Sequence, residues 1–281
     1  MALHRVDTLA GRCVPELSIW WLVYPAMGLF AGFFAGLLGV GGGLILVSLM
    51  VIAFNAQGFP ADRVMHLALG TSMATIVFTS IKSALSHHRH GAVRWDIVRN
   101  SAFGLVAGTL LGAAIADQFR SKWLAMVFVA FVIYSAINML FDLKPKPSRQ
   151  LPGPMGLQAS GGVVGVMSAL VGAGGGFISI PLMSLCNVAM RQCVATSAAL
   201  GLPISLAGVA GYLWMGWGKD HLPEFSVGYV YLPAFVGIVA GTFVTVPVGA
   251  KLAHTLPVPK LKRVFAVVLS ILAAKMLYGL L

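Results

Sequence analysis

Apolar positions come in blocks along the chain, and short polar stretches between the blocks hold nearly all of the charge. The blocks run Ile19 to Leu38, Leu44 to Phe54, Val64 to Leu85, Ile97 to Ala116 and Trp123 to Phe141. They resume as Leu157 to Val171, Phe177 to Cys186, Val194 to Trp214, Val227 to Ala250 and Leu261 to Leu281. An apolar run of about 20 residues matches the thickness of a bilayer's hydrocarbon core when coiled as a helix. The pattern therefore predicts an all-α polytopic membrane protein. Asp142 to Pro154 (DLKPKPSRQLPGP) is the one linker-like stretch. It divides an N-terminal repeat, 1–141, from a C-terminal repeat, 157–281, with 142–156 as a cytoplasmic linker.

The two halves match without gaps over two blocks at an offset of 133 residues. Gly28, Gly32, Gly39, Gly41, Gly42 and Gly43 then fall on Gly161, Gly165, Gly172, Gly174, Gly175 and Gly176, while Gly104, Gly108 and Thr109 fall on Gly237, Gly241 and Thr242. Between these blocks, Thr71 and Ser72 match Thr196 and Ser197 at an offset of 125. Ordered recurrence of this kind marks an internal duplication, a common feature of transporter folds.

Composition agrees with a membrane location. Of 281 residues, 58% are hydrophobic and 10% charged, against roughly a quarter charged in a soluble protein. The 19 Lys and Arg exceed the 8 Asp and Glu, but they lie singly or in small groups between apolar blocks, which excludes a nucleic-acid groove and points to loop charges. Cys13, Cys186 and Cys193 have neither disulfide-framework nor metal spacing. Arg5 and Arg12 precede an apolar run, as in a signal peptide, but the run continues to Phe54 without a convincing cleavage site and reads as retained membrane structure.

Charge also bears on topology. If the unit Ile19 to Phe54 crosses once, the basic residues divide about 10 to 8. If it returns to its starting side, they divide 12 to 6, with Lys82, Arg89, Arg94, Arg99, Lys144, Lys146, Arg149, Arg191, Lys251, Lys260, Lys262 and Arg263 together. The second division obeys the positive-inside rule. It predicts two inverted repeats with both termini outside, each a Gly-broken or re-entrant first unit followed by three transmembrane helices.

The glycine clusters Gly39-Val40-Gly41-Gly42-Gly43 and Gly172-Ala173-Gly174-Gly175-Gly176 interrupt these first units. Each glycine costs a helix interior roughly 1 kcal/mol relative to alanine, so such a row unwinds the helix. Unwound backbone at membrane depth is tolerated only inside protein or along a cavity. The helices resuming at Leu44 and Phe177 would offer free N–H groups and the positive end of a dipole to an anion. The spaced ladder Gly28-x-x-x-Gly32-x-x-x-Gly36 and its partner Gly161-x-x-x-Gly165 read as close helix packing. A dinucleotide fingerprint is excluded, since its last glycine is replaced by Leu44 and Phe177 and no βαβ context surrounds it.

A glycine ladder ending in G-x-G-G-G, present in each half and followed by Gly70-Thr71-Ser72 or Ala195-Thr196-Ser197, resembles the TauE/SafE family of sulfite exporters. The resemblance spans about Gly28 to Leu281. Pro181 stands where the family often carries a proline; the first copy has Ser48 there. The resemblance implies export of sulfite, sulfoacetate or another sulfonate across a bacterial inner membrane, with no cofactor, a lipid bilayer as surroundings and a homo-oligomer left open.

Thr71, Ser72, Thr196 and Ser197 lie near the starts of apolar segments, where their hydroxyls either meet an oxyanion or cap and back-bond the helices. Lys275 is the basic residue well inside the last apolar run, where it either attracts substrate or snorkels to the surface. His66 and Arg191, which match across the repeats, are placed at the interface. The candidate substrate-binding residues are thus Gly41, Gly42, Gly43, Thr71, Ser72, Gly174, Gly175, Gly176, Thr196, Ser197 and Lys275. His87-His88-Arg89-His90 lacks a neighbouring carboxylate or cysteine and reads as a solvated loop, not a metal site. All eight acids fall in loops or at segment ends, so membrane potential or a proton gradient would drive export without a mid-membrane carboxylate. HExxH and G-x-S-x-G are absent, which argues against an intramembrane enzyme. Transport of another solute such as a metal ion, or a non-transport assembly subunit, are the alternatives.

Overall fold

The computed structural model describes residues 7–38, 42–141, 150–252 and 258–280. Among the described residues each half supplies five helices. The first half has α1 (Asp7–Leu38), α2 (Gly43–Ala56), α3 (Val64–Arg89), α4 (Trp95–Gln118) and α5 (Ser121–Leu140). The second has α6 (Pro154–Val171), α7 (Gly176–Leu185), α8 (Met190–Gly216), α9 (Leu232–Leu252) and α10 (Val258–Leu280). A hairpin of two-residue strands, β1 (Ser226–Val227) and β2 (Val230–Tyr231), precedes α9 and pairs Ser226 with Tyr231 and Val227 with Val230. Among the described residues, seven helices are long and apolar enough to span a bilayer, and α2 and α7 are short apolar helices. The chain is a multi-pass, all-α membrane protein.

Helix boundaries follow the apolar blocks with instructive differences. The helix α1 begins twelve residues before its apolar run. Gly153 and Pro154 start α6, the proline occupying the first turn, where its missing N–H costs nothing.

Packing exchanges partners between the halves. The helices α1 and α9 pack together, as do their counterparts α6 and α4, while α3 meets α8 and α5 meets α10. Apolar lipid provides little hydrophobic drive between spans, so close backbone approach at small residues has to hold these pairs. A Cβ on Gly104 or Gly108 would collide with the carbonyl of Gln158 or Gly162, and one on Gly241 with that of Pro25. The glycine ladders are contact surfaces that a single methyl group would force apart.

The same contacts give helix directions. Gly28 faces Ile238 and Gly32 faces Thr242, so α1 and α9 run in parallel; Gly104 faces Gln158 and Gly112 faces Val166, so α4 and α6 do too. By contrast Gly201 faces Ser80 and Gly208 faces Met73. The counterpart helices α3 and α8 therefore cross antiparallel at the centre of the bundle, and both are largely buried within it.

Candidate substrate site at the glycine breaks

Gly42 is the N-cap of α2 and Gly175 the N-cap of α7, and both have left-handed backbone, with φ of 61° and 77°. A side chain in that region costs about 1–2 kcal/mol. Neither helix has a side-chain cap, so the amides of its first turn are exposed to whatever packs before them. The equivalence expected from the 133-residue offset holds at these two positions in backbone geometry. Gly41, named with them in the sequence, lies outside the described residues.

The two breaks meet. A Cβ on Gly43 would strike the Gly172 carbonyl and come within 2.9 Å of the Ala173 Cα and of the Ile76 side chain. One on Gly174 would touch Ile76 at 3.4 Å and Gly201 at 3.8 Å. Ile76 and Gly201 are near the middle of α3 and α8, so α2 and α7 both begin at the depth where those central helices cross. Gly176, the first residue of α7, is buried there.

Hydroxyl groups surround this junction in two different ways. Ser72 Oγ donates to the Gly172 carbonyl at 2.9 Å, tying α3 of one half to the break of the other. Ser179 Oγ donates to Ser197 Oγ at 3.1 Å, joining α7 to α8. The two threonines accept from backbone N–H groups. Thr71 Oγ1 accepts from the Tyr231 N–H at 3.0 Å, and Thr196 Oγ1 accepts from the Arg94 N–H at 3.0 Å. Each anchors the residue that precedes α9 or α4, which are counterparts. Their duplication thus includes a shared fastening of the fold, which uses each oxygen as an acceptor and leaves its hydroxyl hydrogen to donate elsewhere.

Lys275 is not brought to the breaks. It lies on the exposed face of α10, with its neighbour Met276 turned into the core. A lysine on the outer wall of the bundle has lipid beside it and reaches water by snorkelling.

His66 lies in the first turn of α3, at a helix end as expected, and is 1% exposed, with its Nε2 donating to the Ala116 carbonyl at 2.9 Å. Its matching Arg191 is exposed. Beside His66 is a network that the sequence did not signal. Tyr229 OH donates to Asp117 at 2.7 Å, Arg63 Nη1 donates to Tyr229 OH at 2.9 Å, and Lys219 Nζ bonds Asp117 at 3.0 Å. Burial, reinforced by the Asp117 carboxylate, pushes the Tyr229 phenol above its ordinary range and keeps it a donor. Residues 63, 117, 219 and 229 are far apart in sequence, which is why spacing could not reveal them. Ser168 was missed for another reason. It is 1% exposed, its hydroxyl has no hydrogen-bond partner, and it lies beside Gly175; the available signal was that the 133-residue offset sets it against Ala35.

Comparison with known proteins places this arrangement. A family model described as sulfite exporter TauE/SafE matches residues 24–276. The chain belongs to that family. A probable membrane transporter protein of Haemophilus influenzae is 34% identical to this TauE/SafE member over 251 residues, covering 89% of the chain and 95% of the relative. The probable membrane transporter protein YdhB of Bacillus subtilis is 29% identical over 238 residues, with 82% and 89% covered. The corresponding MJ0441 protein of Methanocaldococcus jannaschii is 25% identical over 228 residues, with 79% and 80% covered. No solved structure matches the chain. The TauE/SafE match contains both glycine breaks and the α3–α8 crossing, so the fold elements that build the junction all belong to the family-wide part of the protein. As a TauE/SafE protein it is a membrane transporter.

Proposed function

We propose that the protein exports a small sulfur-containing anion, sulfite or a sulfonate such as sulfoacetate, through the junction of the two glycine breaks. The observation that carries this reading is the apposition of two helix N-termini at the crossing of α3 and α8, without a charged side chain among the described residues there. Converging backbone amides and dipoles attract an oxyanion and release it more readily than a lysine or arginine would.

We further read residues 1–141 and 157–281 as inverted repeats. The antiparallel α3–α8 pair supports this, because counterpart helices run in the same direction in parallel repeats. Following the helix directions along the chain brings Lys82, Arg89, Arg94, Arg99, Arg191, Lys251, Lys260, Lys262 and Arg263, the members of the larger group that fall among the described residues, toward one end of the bundle, which would be the cytoplasmic end of a bacterial inner-membrane protein. Export from a cell that is negative inside then gains about 2.3 kcal/mol per charge for each 100 mV.

The test is counterflow in proteoliposomes with sulfite, sulfoacetate, sulfate, thiosulfate and a divalent metal cation. Exchange of sulfite or sulfoacetate, lost in Gly42→Val, supports the reading. Exchange of the cation alone overturns it.

A further inference from the structure

Equivalent breaks need not bind equivalently, and one position separates them. A Cβ on Gly42 would lie 2.9 Å from the Ala35 methyl; one on Gly175 would lie 3.2 Å from Ser168 Oγ. The two sites are otherwise built alike, with a left-handed glycine N-cap and no side-chain cap. Thus the N-cap glycine of α7 has a hydroxyl beside it, and that of α2 has a methyl group.

That hydroxyl is anomalous. Serine and threonine in this bundle commonly return their proton to the carbonyl four residues back, as Ser48, Ser101, Thr109 and Ser270 do. Ser168 does not, although it is 1% exposed. A buried hydroxyl without a partner carries a desolvation cost that a bound acceptor would remove. Ser135 and Ser226 share the lack of a partner, but neither lines the recess at the second break: Ser135 is one turn beyond Phe131 on α5, and Ser226 is in β1.

Ser168 also opens onto a narrow recess with Phe131, Met167, Ala173, Gly175 and Phe177. Its walls are apolar apart from Ser168 and the α7 backbone. Desolvating an ion grows costlier with the square of its charge. One hydroxyl and one helix N-terminus, without a cation, match one negative charge better than two, and the apolar walls match a small organic group attached to it.

Resting on the proposed anion transport, we infer that the second break is the selective subsite: Ser168 Oγ donates to a singly charged oxyanion seated on the first-turn amides of α7, with a sulfonate's organic group against Phe131 and Phe177. The recess as packed admits no water molecule, so an occupant requires its walls to move. The first break, with Ala35, supplies amides alone.

The experiment titrates purified full-length protein with methanesulfonate and with sulfate, following calorimetric binding and thermal stabilisation in wild type, Ser168→Ala, Ser135→Ala and Gly175→Val. Wild type should bind methanesulfonate at least about tenfold more tightly than sulfate. Ser168→Ala should weaken methanesulfonate at least about tenfold, with the melting temperature of the unliganded protein unchanged or raised, because a hydroxyl without a partner has been removed. Ser135→Ala should bind as wild type.

Wild-type affinity in Ser168→Ala together with lost binding in Gly175→Val overturns the role of Ser168 and leaves the amide site standing. Wild-type affinity in both variants overturns the amide site as well. A lower melting temperature for unliganded Ser168→Ala overturns the inference by revealing a structural partner for the hydroxyl. Equal affinity for sulfate overturns the selection for single charge.

Discussion

Ser72 in α3 donates its hydroxyl hydrogen to the carbonyl of Gly172 in the second break, at 2.9 Å and across 100 residues of sequence. The bond joins the central helix of one half to the unwound segment of the other, so a movement of either break must pull on α3 or lose the bond. Ser72→Ala leaves a buried carbonyl without this donor, at a cost of about 1–3 kcal/mol. The expected result is a lower melting temperature and slower counterflow, with an unchanged preference among anions, because Ser72 spends its proton on the protein.

Substitution in the packing ladder should behave differently. A Cβ on Gly108 would meet the Gly162 carbonyl, and α4 and α6 would have to separate. Gly108→Ala should lose about 1–3 kcal/mol of stability, read as a lower melting temperature or lower yield of folded protein. Protein that does fold should retain its anion selectivity.

Lys275→Met removes a charge from the exposed face of α10. Transport should keep its wild-type KM and maximal rate, since nothing in the position of Lys275 connects it to the breaks. A raised KM with an unchanged rate would return the lysine to substrate attraction.

The topology predicts which ends are accessible. In a protein whose native cysteines are replaced by serine, Arg89→Cys and Arg191→Cys should label only with membrane-permeant maleimides in intact cells. Asp62→Cys and Lys219→Cys should label with impermeant ones. Labelling of all four by the impermeant reagent, or of only one of Arg89→Cys and Arg191→Cys by it, would remove the inverted-repeat reading.

Tyr229→Phe breaks the bridge between Arg63 and Asp117. Because burial and the nearby carboxylate raise the phenol above its ordinary range, its contribution to wild-type stability should be fully present below the usual tyrosine range and be lost as pH rises through it, where the phenol ionises in the unfolded chain and stays protonated in the folded one. The Tyr229→Phe variant should be destabilised by about 1–3 kcal/mol at neutral pH, and the deficit should shrink in alkaline solution, measured as a melting temperature against pH.

The sequence made the helical bundle and its breaks readable because the bilayer imposes both signals: long apolar runs, and glycine rows that a packed helix would avoid. Gly42 and Gly175 were found this way, and their left-handed φ values follow from the same reasoning. The hydroxyls were harder. Thr71 and Thr196 satisfy backbone groups at Tyr231 and Arg94, partners that exist only after α9 and α4 have packed, so their repetition could not announce this fastening. Ser168 escaped because comparing repeats rewards agreement, and its information lies in a disagreement with Ala35. Lys275 was judged by depth in an apolar run, which cannot say which face of a helix a residue occupies.

The exchange of partners between halves has a consequence for synthesis. Gly28 finds its neighbour only when Ile238 has been made, roughly 210 residues later, while Gly104 waits roughly 54 residues for Gln158. At about 5–20 residues per second, the first helix to enter the membrane keeps its glycine face without a partner for about 10–40 s, several times longer than α4 does. The earliest-made element is therefore among the last to be locked, and a nascent chain stalled before α9 would present to the bilayer a helix surface built for close contact with protein.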